Sequence, residues 1–230
     1  DLAEGVWEFQ ETLLSAGEFD GLGAVLCLNG DGLFAGGTSS EDSILLFANA
    51  GGVWSEATIL SRPSGPNAGY WWSVSDMEVF GGLLAVSTAN RGLFFYAEQP
   101  DGSWSCQASE DVVEPRGGVV GPMSVDGQTL VVGLRQVLRY DWESRHIASV
   151  WRLVGGVPTE VSRVSVGTEY DECDARYAVS GADLLVSVSG DAEQGVWLFT
   201  EATAIMNTQP VPVTVAFGDD AAFTVECSGA

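Results

Sequence analysis

Apolar residues in this chain come in short runs, bounded by glycine, aspartate or asparagine. β-Branched and aromatic residues alternate over a few positions at a time, and no stretch sustains the 3.6-residue period of a helix. One set of runs is Gly32–Gly37, Gly82–Ser87, Thr129–Leu134 and Asp183–Val188. A second is Ser43–Phe47, Gly92–Tyr96, Gln136–Tyr140 and Gly195–Phe199, each ending on an aromatic ring. A third, lighter set precedes the first: Ala24–Leu28, Trp72–Met77, Met123–Val125 and Tyr177–Val179. The turns between the third set and the first carry Asn29-Gly30-Asp31, Gly81-Gly82, Asp126-Gly127 and Gly181-Ala182-Asp183, the chemistry of tight hairpins.

A tryptophan recurs in step with these runs. Trp7, Trp54, Trp104 and Trp151 are separated by 47, 50 and 47 residues. Each unit thus holds four strand-sized segments, and units of this length with four antiparallel strands are the blades of a β-propeller. The pattern predicts one all-β domain over residues 1–230, a propeller of about five blades. Its units fall near 5–51, 52–102, 103–144 and 145–203, with a partial unit at 211–230. In the partial unit, Val213–Phe217, the turn Gly218-Asp219-Asp220 and Ala222–Val225 supply two inner strands. With the Trp7 strand the closing blade counts three strands where its neighbours have four. Either that blade is small, or the chain is an excerpt, or a strand arrives from another subunit by edge pairing.

These residues resemble the FG-GAP-like family of propeller repeats. The first unit carries the pattern most fully, in Trp7, Asp20-Gly21-Leu22-Gly23, the Gly30-Asp31 turn, Leu33–Gly36 and Phe47. Later units keep the tryptophan, the turn and the aromatic but lose the Asp-x-Phe-Gly element. The resemblance implies a propeller, and it implies calcium in loops of alternating carboxylates. No such loop is intact here. The nearest cluster, Glu169, Asp171, Glu172 and Asp174, reads first as a solvated acidic loop and second as a calcium site. No cofactor is required by anything else in the chain.

Composition narrows the partners. The 230 residues carry 32 carboxylates against 9 basic groups, all arginine, for a net charge of −23. Such a chain repels phosphate backbones and anionic lipid, which excludes nucleic acid and membrane insertion as expectations. Without lysine there is no P-loop, Schiff base or lysine general base. Cys27, Cys106, Cys173 and Cys227 are dispersed and form no C-x-x-C pair. They fit two disulfides in an oxidising compartment, or four buried thiols. In a five-bladed ring Cys27 and Cys227 lie on neighbouring blades, so that pair is the expected closing bond, leaving Cys106 and Cys173. A start at Asp1 is consistent with a processed secretory protein or an excerpt, and the expected location is extracellular or at the cell surface.

Reaction chemistry is hard to find. His146 is the sole histidine and reads as an exposed turn residue, with no G-x-S-x-G elbow to serve. The aromatic candidates are Tyr70, Trp71 and Trp72, three adjacent rings of which at least one should leave the core of a strand. Exposed rings of this kind stack on sugars or anchor interfaces. The expectation is therefore a non-enzymatic extracellular interaction or structural module, as a repeating subunit of a surface assembly or filament. A lectin-like glycan binder is the second reading, and a glycoside hydrolase on the same scaffold the third.

Overall fold

The computed structural model describes residues 12–13, 22–30, 32–36, 43–61, 74–88, 92–111, 118–137, 144–166, 174–189, 194–201, 205–206 and 227–228. Among them the chain is all β, with fifteen strands in four antiparallel sheets and no helix. The first sheet comprises β1 (Val25–Asn29), β2 (Gly32–Gly36), β3 (Ser43–Ala50) and β4 (Val53–Ser61). The second holds β5 (Val74–Phe80), β6 (Leu83–Thr88), β7 (Gly92–Glu98) and β8 (Trp104–Asp111). The third holds β9 (Gly118–Asp126), β10 (Thr129–Val137), β11 (Ser144–Val154) and β12 (Val157–Val166). The fourth has three strands, β13 (Asp174–Ser180), β14 (Asp183–Ser189) and β15 (Gln194–Thr200). A separate two-stranded pairing joins β16 (Ile205–Met206) to β17 (Cys227–Ser228).

Every sheet is a simple meander, each strand pairing with the next in sequence. Tight hairpins make this possible. At Gly81-Gly82 both residues hold positive φ, +55° and +86°, the left-handed backbone a two-residue turn demands of its glycines.

The sheets stack face to face, and the lead strands β1, β5, β9 and β13 adjoin in series. The sequence of the middle sheets explains why. A strand covered on both sides must be apolar at every position, not at alternate ones. In β7, Phe94 and Tyr96 pack toward the first sheet with Phe34, Ile44 and Leu46, while Leu93 and Phe95 pack toward the third. In β10, Leu130, Val132 and Leu134 face the second sheet and Val131 faces the fourth. Aromatic contacts set the spacing between sheets. Trp104 meets Phe34 edge-on at 5.1 Å, and Trp151 lies 5.7 Å from Phe95.

Two expectations are corrected. The third strand of the third sheet is β11, not Gln136–Tyr140; Gln136 and Val137 finish β10, which reaches nine residues where β2 has five. Trp151 therefore sits in a third strand, whereas Trp54 and Trp104 begin fourth strands. There it is buried against Phe95, and its Nε1–H donates to Ser149 Oγ at 2.8 Å. His146 is also in β11 and buried, not in an exposed turn.

Gly133 shows how closely the third and fourth sheets meet. A Cβ there would stand 2.3 Å from the ring of Tyr177 on β13, and the β9–β10 register shifts around it. Gly133→Ala must displace a rigid ring, so a loss of about 1–3 kcal/mol is expected, read from urea unfolding.

Candidate functional site: the cleft between the third and fourth sheets

Polar ties along the lead strands fix how neighbouring sheets meet. Asp76 on β5 reaches the third sheet, accepting from Met123 N–H at 2.6 Å while its other oxygen accepts from Met77 N–H at 2.9 Å. Ser87 Oγ donates to the Gly121 carbonyl at 3.3 Å along the same seam. Between the third and fourth sheets the pattern repeats with different residues. Val179 N–H donates to Ser124 Oγ at 3.3 Å, and Gly181 N–H donates to Asp126 Oδ2 at 2.5 Å. The part-buried Met123 and Val179 N–H groups would cost free energy without such partners, while the Gly181–Asp126 bond is exposed to water; together these side chains hold the seams in register.

Burial pushes the Asp76 carboxyl above its ordinary range, against the pull of the Met123 and Met77 N–H groups and the Arg176 charge. Glu78, nearby on β5, is raised by burial and then by the charge of Asp76. Cys27 is pushed up to about 11 by burial, then by Glu78. At neutral pH that thiol is protonated and a weak nucleophile.

Beside the Gly181 turn the third and fourth sheets enclose a cleft of about 400 Å³. Its walls are apolar, built by Val131, Val150 and Val164 on one side and Val179, Leu184 and Phe199 on the other. Thr129, Arg152, Asp183 and Glu201 add the polar groups. Arg152 and Glu201 link the two walls with a two-pronged ion pair, Nη1–Oε1 2.9 Å and Nη2–Oε2 2.5 Å. The hydrogen bonds and charge of Arg152 hold Glu201 below the usual carboxylate range. With Arg152 and Glu201 committed to each other and Asp183 accepting from Thr200 Oγ1, the cleft is suited to an apolar side chain or an extended backbone.

The residues singled out from sequence lie elsewhere. Tyr70, Trp71 and Trp72 fall outside the described residues, as do Glu169, Asp171, Glu172 and Cys173. Asp174 opens β13 and Cys227 opens β17, with only their backbones described. Cys27 and Cys106 are free thiols, so the expected Cys27–Cys227 bond is not formed in this structure. Cys27 instead points from β1 into the core shared by the first two sheets, beside Phe34 and Met77. Among the described residues, no three His, Cys, Asp or Glu side chains group so as to hold a metal ion. Sequence reasoning missed the cleft, whose walls are ordinary strand valines from two separate units. Asp76 lies in a strand that also holds Ser75 and Glu78, so its sequence did not set it apart.

No family model matches the sequence, and no curated protein does. Solved structures do share the fold. Sqt1 of Saccharomyces cerevisiae superposes with a TM-score of 0.55 at 12% identity, over 79% of this chain and 45% of that one. The chain thus spans a little under half the length of Sqt1. The computationally designed Ika4 protein superposes with a TM-score of 0.50 at 10% identity, over 84% of this chain and 99% of that one. Glutaminyl cyclase of Myxococcus xanthus matches more loosely, with a TM-score of 0.40 at 11% identity over 77% and 72% of the two chains, and carries no argument about chemistry.

Two outcomes are expected from the lead-strand carboxylates. Asp76→Ala leaves the Met123 and Met77 N–H groups without their acceptor, costing about 1–3 kcal/mol in denaturant unfolding. Glu78→Gln acts in the opposite sense. A carboxyl whose folded pKa is raised contributes stability below its unfolded pKa and loses it as pH rises through the folded value. The Gln variant should therefore exceed the wild type in stability at pH 7, and this advantage should vanish below the ordinary Glu value of 4.5. Unfolding midpoints at the two pH values measure it.

Proposed function

We propose that the four sheets are blades of a β-propeller of about five blades, and that the chain is a non-enzymatic, extracellular interaction or structural module. In this reading it is a repeating subunit of a surface assembly. The in-series contact of the lead strands supports the propeller. These contacts run β1 to β5, β5 to β9 and β9 to β13.

One observation carries the assembly. The fourth sheet carries apolar residues on both faces, and among the described residues only one of these faces is covered. Leu184, Val186 and Val188 pack against the third sheet. On the other face Leu185, Val196 and Leu198 are 44%, 70% and 63% exposed. They form a contiguous patch, because Leu185 pairs with Leu198 and Ser187 with Val196. Contiguous apolar patches on a sheet face mark contact surfaces. The far end of the array shows the same feature on a smaller scale, with Leu26 and Leu28 exposed on β1.

Light scattering and negative-stain imaging of the native chain test this. Particles larger than one 24.2 kDa chain are expected. They should grow with salt, because each chain carries −23 and screening weakens the repulsion between copies. Val196→Glu with Leu198→Glu should shrink them. A monodisperse single-chain particle at every salt concentration would overturn the reading.

A further inference from the structure

We propose that the cleft between the third and fourth sheets binds a small amphipathic amine, with its apolar body on Val131 and Leu184 and its ammonium head at Asp183 and Glu201. This goes beyond the assembly reading and does not depend on it. Leu184 and Phe199 face the third sheet, whereas the exposed Leu185, Val196 and Leu198 lie on the opposite face of the fourth.

The register of the two sheets gives the cleft a polar end and an apolar end. In the third sheet the residue pair Thr129↔Arg152 lies toward the hairpin turn, and Val131↔Val150 comes two residues further in. In the fourth sheet Asp183↔Thr200 lies beside the turn, and Leu184↔Phe199 follows it. The Arg152–Glu201 ion pair joins the polar ends of the two sheets, and Val131 packs with Leu184 in one core behind them.

Contact with water follows the same gradient. Asp183, Thr200 and Glu201 are exposed, whereas Val131 and Leu184 are buried. A ligand matched to this gradient has an apolar body and a single polar head at the rim. The volume of about 400 Å³ is that of a small-molecule site.

The charges at the rim decide the sign of the head. Among the described residues of the lining, Asp183 and Glu201 stand against the one guanidinium of Arg152. Asp126 adds a third carboxylate nearby, where its Oδ2 accepts from Gly181 N–H. Arg152 holds Glu201 below the usual carboxylate range, so Glu201 is ionised at neutral pH. Each Glu201 oxygen accepts one bond from Arg152 and keeps a lone pair for an ammonium donor. An anionic head would have to take Arg152 away from Glu201 and would face Asp183 as well. The chain's net charge of −23 adds to this by drawing cations in and repelling anions.

The test is ligand-observed saturation-transfer NMR on the full chain, which reads weak binding whatever the particle size. The probes are hexylammonium, hexanol and hexanoate, which share an apolar body and differ in the head. Hexylammonium should saturate and bind about threefold tighter than hexanol, the worth of an ion pair at an exposed rim. Hexanoate should bind most weakly. Asp183→Asn and Glu201→Gln should each bring hexylammonium toward hexanol, as should raised salt. Arg152→Gln should tighten hexylammonium and leave hexanol unchanged. Val161→Trp, at an exposed position of β12 that lines the cleft, should abolish binding of all three probes while keeping the wild-type urea midpoint. If Val161→Trp lowers that midpoint, the two carboxylate variants decide. Hexanoate binding as tightly as hexylammonium overturns the inference, as does the absence of binding by any probe. Hexylammonium binding that survives both Val161→Trp and the carboxylate variants places the cation elsewhere on the acidic surface and overturns it too.

Discussion

A β-sheet with two apolar faces has to be covered twice, and that requirement organises this molecule. The second and third sheets meet it in full. Alternate residues of β7 and β10 serve two separate cores, so a strand that reads as one hydrophobic run is divided between neighbours at each residue. Such a sheet cannot stand alone in water, because either bare face would expose several large side chains at a cost of about 25 cal/mol per Å². Stability is therefore shared along the stack, as in repeat proteins whose units depend on their neighbours. Among the described residues, Leu26 and Leu28 on the first sheet and Val196 and Leu198 on the fourth are left exposed.

Some of the polar groups that enter the stack give it direction. Hydrophobic contact between sheets is non-directional and leaves them free to slide. The ties from Asp76 to Met123 N–H and from Asp126 to Gly181 N–H remove that freedom at the lead strands. The first tie also carries a charge penalty. Burial raises the pKa of Asp76, so the carboxylate that fixes the seam between the second and third sheets weighs against the fold as pH rises. In a chain with 32 acidic groups, Asp76 is brought inward where the Met123 and Met77 N–H groups meet it.

Most of the meander was legible in the sequence because its signals are local. Turn glycines such as Gly81-Gly82 report a hairpin directly, and the runs Gly82–Ser87 and Gly92–Tyr96 became β6 and β7 with little change. The third sheet was misread because recurrence of a residue type was taken for recurrence of a place. Trp151 keeps the spacing of Trp54 and Trp104, yet it fills the gap between sheets from a third strand, while β12 opens with Val157-Pro158. A large ring can reach one cavity from either of two adjacent strands, and only the register decides which. The cleft was illegible for a related reason. Val131, Val164, Val179 and Phe199 have nothing in common in sequence beyond being apolar, and they meet only through the stacking of two sheets.

The same logic bears on what kind of recognition this surface supports. A net charge of −23 gives two copies a uniform repulsion and no pattern by which to choose an orientation. Apolar patches give attraction without register. Backbone pairing at a strand edge supplies what both lack, because a slip of one residue turns every side chain to the wrong face.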